Sequence, residues 1–521
     1  MEQYSLLIGG RDVDTGVYEY LPYAHKLVTD FSTTRKIVKK LKAGDPVDNA
    51  DEYVYSRYCV NSETTNQEAI EAAFKAFLQY RKFPLTLRRN IFLTMYELLL
   101  ENKEKLIDLF MAEGHPRRLA EWEFEGMELG GRPELINYYY KQLRRTVGRH
   151  DGEALYLARK PDGVVCVNAP GNAPASNSYL AAYALLAGNA LIIKPPFRNP
   201  VSTIYLWKEV VEKALRRYSV PPGTLNIVVG KHQKILSEWL ASAQVSDVLH
   251  FGDSEKGIEI AARVFEAGKK PILELSGNDI FILWKDGDLA KAADSLLDAF
   301  LGSSQICMVP KIAVIHADVY DRFMKIFLER ASWVKPEPFD SPDAILSPVL
   351  KIPDFFNFLT DAVDKGASIL CGGKRVNAKN EEDVSGIFIQ PTVLQVDSIE
   401  AALRMKCISE EIFFPLVPCI KAEGADDKTI FSDIISFVNK HNYGLRASLW
   451  TSSSRYIRKF AKELDNSGTL RINLRHVGFS YYLSTHGGTR KSGGPFGEMN
   501  YVWQKTSHLQ GIAISNKHLS L

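Results

Sequence analysis

Along most of the chain, short apolar runs alternate with stretches in which apolar residues return every three or four positions. The runs at 164–167, 190–193, 225–229 and 246–250 predict buried strands. Between and after them, helical spacing predicts helices over 177–187, 201–217, 233–243 and 255–267. Strands that alternate with amphipathic helices in this way predict a doubly wound parallel sheet. Pro221-Pro222-Gly223 punctuates one return from helix to strand. A second α/β region is predicted from Pro271 to about 470, with helices over 288–302, 317–330, 353–365, 429–440 and 453–464.

Before the first sheet, residues 1 to about 60 mix short strand-like pieces with a charged segment around Lys36 to Glu52. Asn66-Gln67-Glu68-Ala69 reads as an N-cap and first turn, followed by Ile70, Ala73, Phe74 and Phe77 at helical spacing. Helices over 86–113 and 116–143 follow. Ala154–Ala158, the turn at 160–163 and the run from Val164 to Val167 read as a hairpin. Beyond 470 the chain is rich in Gly, Ser, Arg and Tyr, and such a tail must fold over something or pair with another subunit.

A chain of 521 residues suggests two to four domains. A formal net charge of +2, without a basic tail, argues against a nucleic-acid binder. The short basic cluster at 35–40 reads as the solvated face of a helix. No apolar run is long enough for a membrane span and no signal-peptide pattern opens the chain, so the cytoplasm is the expected compartment. Six cysteines, with no CxxC pair and no Cys/His metal spacing, suggest free thiols in a reducing environment and no metal site.

Three places carry candidate chemistry. Cys307 follows the small-residue turn Ser303-Ser304 and Gln305, between an apolar helix and an apolar strand. It is either packing or a nucleophile whose pocket lowers its pKa or supplies a base. Glu274 lies in the run Ile272-Leu273-Glu274-Leu275. A carboxylate among aliphatic residues is paired, functional as a base, or turned to solvent by strand alternation. Lys194 ends the run Ile192-Ile193, where its ammonium can meet a ribose or phosphate or simply face water. His250-Phe251-Gly252-Asp253-Ser254 is a strand end and glycine turn opening a helix. Helix N-termini bind phosphate, whereas Asp253 can equally serve as a plain N-cap. No GxGxxG is present.

Taken together these segments resemble the aldehyde dehydrogenase superfamily, in family order from about residue 66 to about 498. Pro170-Gly171-Asn172-Ala173-Pro174 is similar to P-W-N-x-P, and Gly188–Pro195 to G-N-x-x-x-x-K-P. Pro221–Asn226 is similar to P-P-G-x-x-N, and Leu273–Gly277 to L-E-L-G-G. Ser304–Cys307 is similar to G-Q-x-C, Glu410–Pro415 to E-E-I-F-G-P, and Gly487–Gly493 to G-G-x-K-x-S-G.

The resemblance implies an α/β fold with three parts. A doubly wound, Rossmann-like NAD(P)-binding domain would take 1–143 and 163–270. An α/β catalytic domain would take 271–470. A small β-hairpin oligomerisation element would draw on 144–162 and 471–521. It implies Cys307 as the nucleophile, Asn172 with the Cys307 N–H as the oxyanion donors, and Glu274 as the base that activates water. Lys194 would hold the adenine ribose, Gly252 and Ser254 would meet the pyrophosphate, Glu411 would hold the nicotinamide ribose, and Phe413 would pack beside the nicotinamide. It further implies a small-molecule aldehyde substrate, NAD or NADP as cofactor, and a homodimer or homotetramer.

The departures from the family pattern bear on specificity. Phe197 replaces a carboxylate that rejects a 2′-phosphate, and Arg198 follows it, which favours NADP over NAD. Asp253 replaces the serine of the pyrophosphate turn. Ser276 and Ser304 replace glycines, Arg490 replaces a lysine, and His486 stands where a phenylalanine lines the substrate side. Arg475 and His476 sit in a loop similar to the family's substrate entrance, where a cation either meets an anionic substrate or is an ordinary loop charge. Tyr481 and Tyr482 line the same mouth or pack at a subunit contact. Two other outcomes stay open at this stage: a CoA-acylating dehydrogenase or acyl-thioester reductase, and a catalytically idle binding member.

Overall fold

The computed structural model describes residues 1–483, 488–494 and 501–515. Two seven-stranded sheets organise the chain. In the first the order is Lys270–Glu274, Val245–Phe251, Val164–Asn168, Ala190–Lys194, Leu225–Ile227, Leu6–Ile8, Arg11–Val13. Its first five strands are parallel, and the last two join antiparallel from the N-terminal segment. In the second the order is Ser368–Cys371, Thr392–Val396, Leu416–Ala422, Pro310–His316, Asp279–Leu283, Arg446–Trp450, Thr469–Ile472. Only its Ser368–Cys371 edge is antiparallel.

Continuous apolar runs form these strands because both faces are buried. Val164 and Cys166 pack with Ile70, Ala73 and Trp239 on one side of the first sheet. Val165 and Val167 pack with Leu185, Trp207 and Tyr183 on the other. The second sheet divides in the same way, Ile280 and Ile282 to one core and Phe281 and Leu283 to the other.

Several expectations are corrected. The run from Pro271 is the edge strand of the first sheet, so the passage between the sheets falls at 275–278 rather than at 271. The hairpin partner of Glu153–Pro161 is the preceding strand Arg144–His150, because Val164–Asn168 is claimed by two parallel neighbours. Ser507–Ser515 completes that three-stranded sheet. The helix at Asn66 begins one residue earlier, as Thr65–Tyr80, and Asn66 is buried, donating to Glu238 and accepting from the Trp239 indole. The region 86–113 is two helices, Leu85–Glu101 and Lys103–Ala112, parted at Asn102, whose side chain donates to the Leu98 carbonyl at 2.8 Å. Pro133 divides 116–143 into Arg117–Gly131 and Pro133–Gln142. The basic cluster at 35–40 lies on the helix Phe31–Ala43, with Arg35, Lys36, Lys39 and Lys40 exposed around a buried Ile37.

Two inserted helices, Ala24–Thr29 and Phe31–Ala43, stand between the paired strands Tyr18–Pro22 and Val54–Cys59. No helix among the described residues is long and apolar enough to cross a membrane.

Candidate active site

The carboxyl ends of the first sheet's strands carry Asn168, Lys194, Phe251 and Glu274. They open into a cleft of about 1040 Å³ that reaches Cys307, Glu411 and Phe413. Cys307 and Glu411 each precede a strand of the second sheet, Pro310–His316 and Leu416–Ala422. The cleft thus lies between strand ends of one sheet and strand beginnings of the other, at the ligand position of open α/β folds.

Cys307 is half-buried and follows an unusual turn. The helix predicted over 288–302 ends at Leu296, and three left-handed residues close the next turn: Gly302 at φ 60°, Ser303 at 56° and Ser304 at 59°. A glycine suits such a position, and Ser304 occupies it with its hydroxyl bonded to the Ala299 carbonyl. Gln305 is fixed by the Gly302 and Pro348 carbonyls and the Leu350 N–H.

Gly277 lies against the backbone of Cys307. A Cβ there would stand 2.2 Å from the Cys307 carbonyl oxygen, so the motif tolerates no side chain at that point. Ser276, in the same motif, is buried on the cleft wall, and its carbonyl accepts from the Ser492 hydroxyl at 2.8 Å.

The residues expected to act together do converge. Asn172 donates one amide hydrogen to the Gln305 carbonyl at 3.0 Å, which leaves its second beside Cys307 in the same cleft. Glu274 is buried at the cleft wall, and its backbone carbonyl accepts from Gly252 N–H at 3.1 Å. Burial pushes the Cys307 thiol well above its ordinary range, and the charges of Glu274 and Glu411 push the same way. Glu411 accepts from Gly277 N–H at 3.2 Å, and burial raises its pKa as well.

Lys194 is 3% exposed, and burial lowers its pKa to about 8. Its Nζ donates to the Pro195 carbonyl at 3.2 Å, a weak partner that leaves capacity for an oxygen-rich ligand. His232 and His250 lie nearby with ring centres 5.6 Å apart. Burial holds them neutral, with pKa values lowered to about 4 and about 3.

One expected cofactor contact, Ser254, has another partner in the structure, and Asp253 takes the N-cap alternative. Ser254 is buried and donates to the Lys491 carbonyl at 2.7 Å, away from the cleft. Asp253 is an N-cap, accepting from Glu255 N–H and Lys256 N–H at 3.1 Å each. It therefore occupies helix N–H groups that a phosphate would otherwise meet. Gly252 lines the cleft beside it.

Arg475 is neither a substrate cation nor an ordinary loop charge. Its guanidinium grips the buried Asp298 carboxylate, with Nη2–Oδ1 at 2.5 Å and Nε–Oδ2 at 2.8 Å. His476 is fully buried, 2.8 Å from the Ser448 hydroxyl. Arg490 caps the end of helix Asp427–Lys440 through the carbonyls of Asn439, Lys440 and His441. His486 and Gly487 lie outside the described residues, as do 495–500 and 516–521 of the tail.

Beyond Cys307, on the side away from the cleft, Tyr481 helps to line a small pocket, whereas Tyr482 is exposed, edge-on to Tyr138. Sequence reasoning missed a buried cluster between cleft and pocket. His115 Nδ1 lies 2.8 Å from Glu123 Oε1, at an angle too bent for a well-formed hydrogen bond. Glu123 also accepts from Ser176 Oγ at 2.7 Å, and Glu113, raised by burial to about 7, holds Ser202. Only the third dimension joins these residues. Lys311 was missed as well, although a lysine in an apolar strand was a signal for it. Its buried Nζ donates to the Ser304 and Ile412 carbonyls, bracing the turn before Cys307, and burial lowers its pKa to about 8.

A model of the aldehyde dehydrogenase family matches residues 37–511. The lactaldehyde dehydrogenase of Methanocaldococcus jannaschii is 28% identical over 457 residues, 86% of this chain and 92% of that one. The NADP-dependent D-glyceraldehyde dehydrogenase of Picrophilus torridus is 28% identical over 417 residues, 78% of this chain and 80% of that one. A solved structure of glyceraldehyde-3-phosphate dehydrogenase from M. jannaschii, complexed with NADP, aligns at a TM-score of 0.76 and 26% identity, covering 88% of this chain and 95% of that chain.

Proposed function

This chain belongs to the aldehyde dehydrogenase family, and from that premise we propose how its residues divide the work of oxidising an aldehyde to a carboxylic acid with NAD(P)⁺. Cys307, as thiolate, attacks the aldehyde carbon. The oxyanion that forms is received by the second amide hydrogen of Asn172 and by Cys307 N–H. A dinucleotide held by Lys194, Glu411 and Phe413 would supply the hydride acceptor for the C–H bond of the Cys307 adduct. The product is a thioester on Cys307. Glu274 then takes a proton from water, the hydroxide attacks the thioester carbon, and the acid leaves as the thiolate re-forms.

The cleft suits the cofactor. It offers a buried ammonium at Lys194, a buried carboxylate at Glu411 and an aromatic face at Phe413, spaced along one continuous opening. With Phe197 and the exposed Arg198 on its wall and no carboxylate at 197, we favour NADP. Hydrolysis is favoured over transfer to CoA because Glu274 is buried beside the nucleophile, where a base serves water. The first sheet would carry the cofactor and the second the nucleophile. The hairpin sheet, with Val147 and Leu509 more than half exposed, would join copies of the chain into a dimer or tetramer. Six free cysteines agree with a reducing compartment such as the cytoplasm.

The observation that carries this reading is the meeting of Cys307, Asn172 and Glu274 at one cleft. Its test is Cys307→Ala. Turnover, followed as reduced nicotinamide, should fall on the order of 10⁴-fold or more, with dinucleotide binding by calorimetry unchanged. Retained turnover would overturn the covalent route.

A further inference from the structure

The pocket beyond Cys307 is walled by an aromatic stack. Trp122 lies on Phe479 with ring centres 5.1 Å apart and planes at 29°, and Phe479 lies on Tyr481 at 5.5 Å and 10°. Met127, Leu180 and Met308 complete its apolar lining.

This stack is built in. Helix Arg117–Gly131 presents Gly126 and Gly130 on one face, four positions apart. A Cβ at Gly126 would stand 2.9 Å from Phe479 Cζ, and one at Gly130 would stand 3.2 Å from Tyr481 Cζ, so the rings lie directly on the helix backbone. The Trp122 indole donates to the Val477 carbonyl at 3.3 Å, and the Tyr139 hydroxyl donates to the Tyr481 carbonyl. The space left is narrow, and its shape is set before a substrate arrives.

The charge pattern is equally specific. Among the described residues, no Lys, Arg or His lines this pocket. Arg118, one turn before Trp122, is exposed and outside the lining, and three further arginines of the surrounding segments are held by other groups. Arg475 grips Asp298, Arg446 donates to the His476 and Gly478 carbonyls, and Arg471 donates to the Arg475 carbonyl and the Ser480 hydroxyl. The one charged wall residue is Glu123, a carboxylate already engaged with His115 and Ser176. An anionic group entering here would lose its water, meet no cation among the described lining residues and face the Glu123 carboxylate.

From these walls we infer that the aldehyde accepted at Cys307 is uncharged, with a slender or flat apolar body, and that aldehydes bearing a carboxylate or phosphate are rejected. The inference rests on the dehydrogenase reading and deepens it.

The test is a panel measured on the full-length chain with NADP⁺ and with NAD⁺: propanal, hexanal and benzaldehyde against succinic semialdehyde and glyceraldehyde 3-phosphate. The neutral members should exceed the charged ones by about 100-fold or more in kcat/KM. Equal or better turnover of a charged member overturns the inference while leaving the dehydrogenase reading intact. Failure of every member to yield reduced nicotinamide overturns both. Trp122→Arg should narrow the gap for succinic semialdehyde by raising its kcat/KM relative to that of propanal, with NADP⁺ affinity by calorimetry unchanged. A gap that stays the same in a variant that still binds NADP⁺ counts against the charge argument.

Discussion

Two spaces meet at Cys307, and their walls differ in kind. On the cleft side stand Lys194, Asp253, Glu274 and Glu411, with neutral His232 behind them, around a volume of about 1040 Å³. On the other side stand Trp122, Met127, Phe479 and Tyr481, fitted onto a helix by two glycines. The cleft is built of separated charged groups along a long opening, as a large charged ligand requires. The pocket is built of contacts between rings, as a small apolar ligand requires. A substitution on one side should therefore move one binding constant and leave the other in place, whereas a substitution at the seam should move the rate itself.

The largest effect is expected at the seam. Asn172→Ala removes one of the two proposed oxyanion donors and should lower kcat by about 10²- to 10³-fold, with the affinity for dinucleotide, read by calorimetry, unchanged. Next comes the cleft. Lys194→Met should weaken dinucleotide binding about 10- to 100-fold, measured by fluorescence titration, with the aldehyde KM little altered. An equal loss on both axes would mean that the two spaces are not separate.

The pH dependence tests how the seam feels the cleft. Burial, Glu274 and Glu411 hold the Cys307 thiol well above its usual range. The thiolate fraction therefore grows as pH rises, and the pre-steady-state burst should accelerate from pH 7 to 9. Glu274→Gln removes a negative neighbour, which lowers the thiol pKa. The rising limb should move to lower pH even as steady-state turnover falls. A limb that does not move would detach Glu274 from the nucleophile.

The smallest effect is expected at Asp253. Asp253→Ser keeps the N-cap and removes an anion from the cleft wall, so dinucleotide affinity should rise about 2- to 5-fold, with no change across the aldehyde panel.

The sheets were legible because their strands are apolar on both faces, a pattern that few other structures produce. Cys307, Glu274 and Asn172 were singled out through motifs that resemble the family's, and the structure brings the three to one cleft. Illegible was whatever a distant partner decides. Ser254 donates to the Lys491 carbonyl, and Arg475 is held by Asp298, 177 positions earlier. The strand 270–274 looked like a beginning because the chain does change sheets there. Its register with Val245–Phe251 shows that it finishes the first. The cluster of His115, Glu123 and Ser176 gave no periodic signal at all, since its members sit on separate helices and loops.

The hydrogen bonds around Glu274 also have a consequence for how the protein is made. The Leu275 N–H donates to the Ser492 carbonyl, and the Ser492 hydroxyl donates to the Ser276 carbonyl, 216 positions before it. At roughly 5–20 residues per second, that stretch takes on the order of tens of seconds to synthesise. From the synthesis of Cys307 until that of Ser492 the nascent chain contains Cys307 and Glu274, but not the residue that holds the Glu274 strand end in place. A product cut short before Ser492 would carry Cys307 and Glu274 without these two hydrogen bonds.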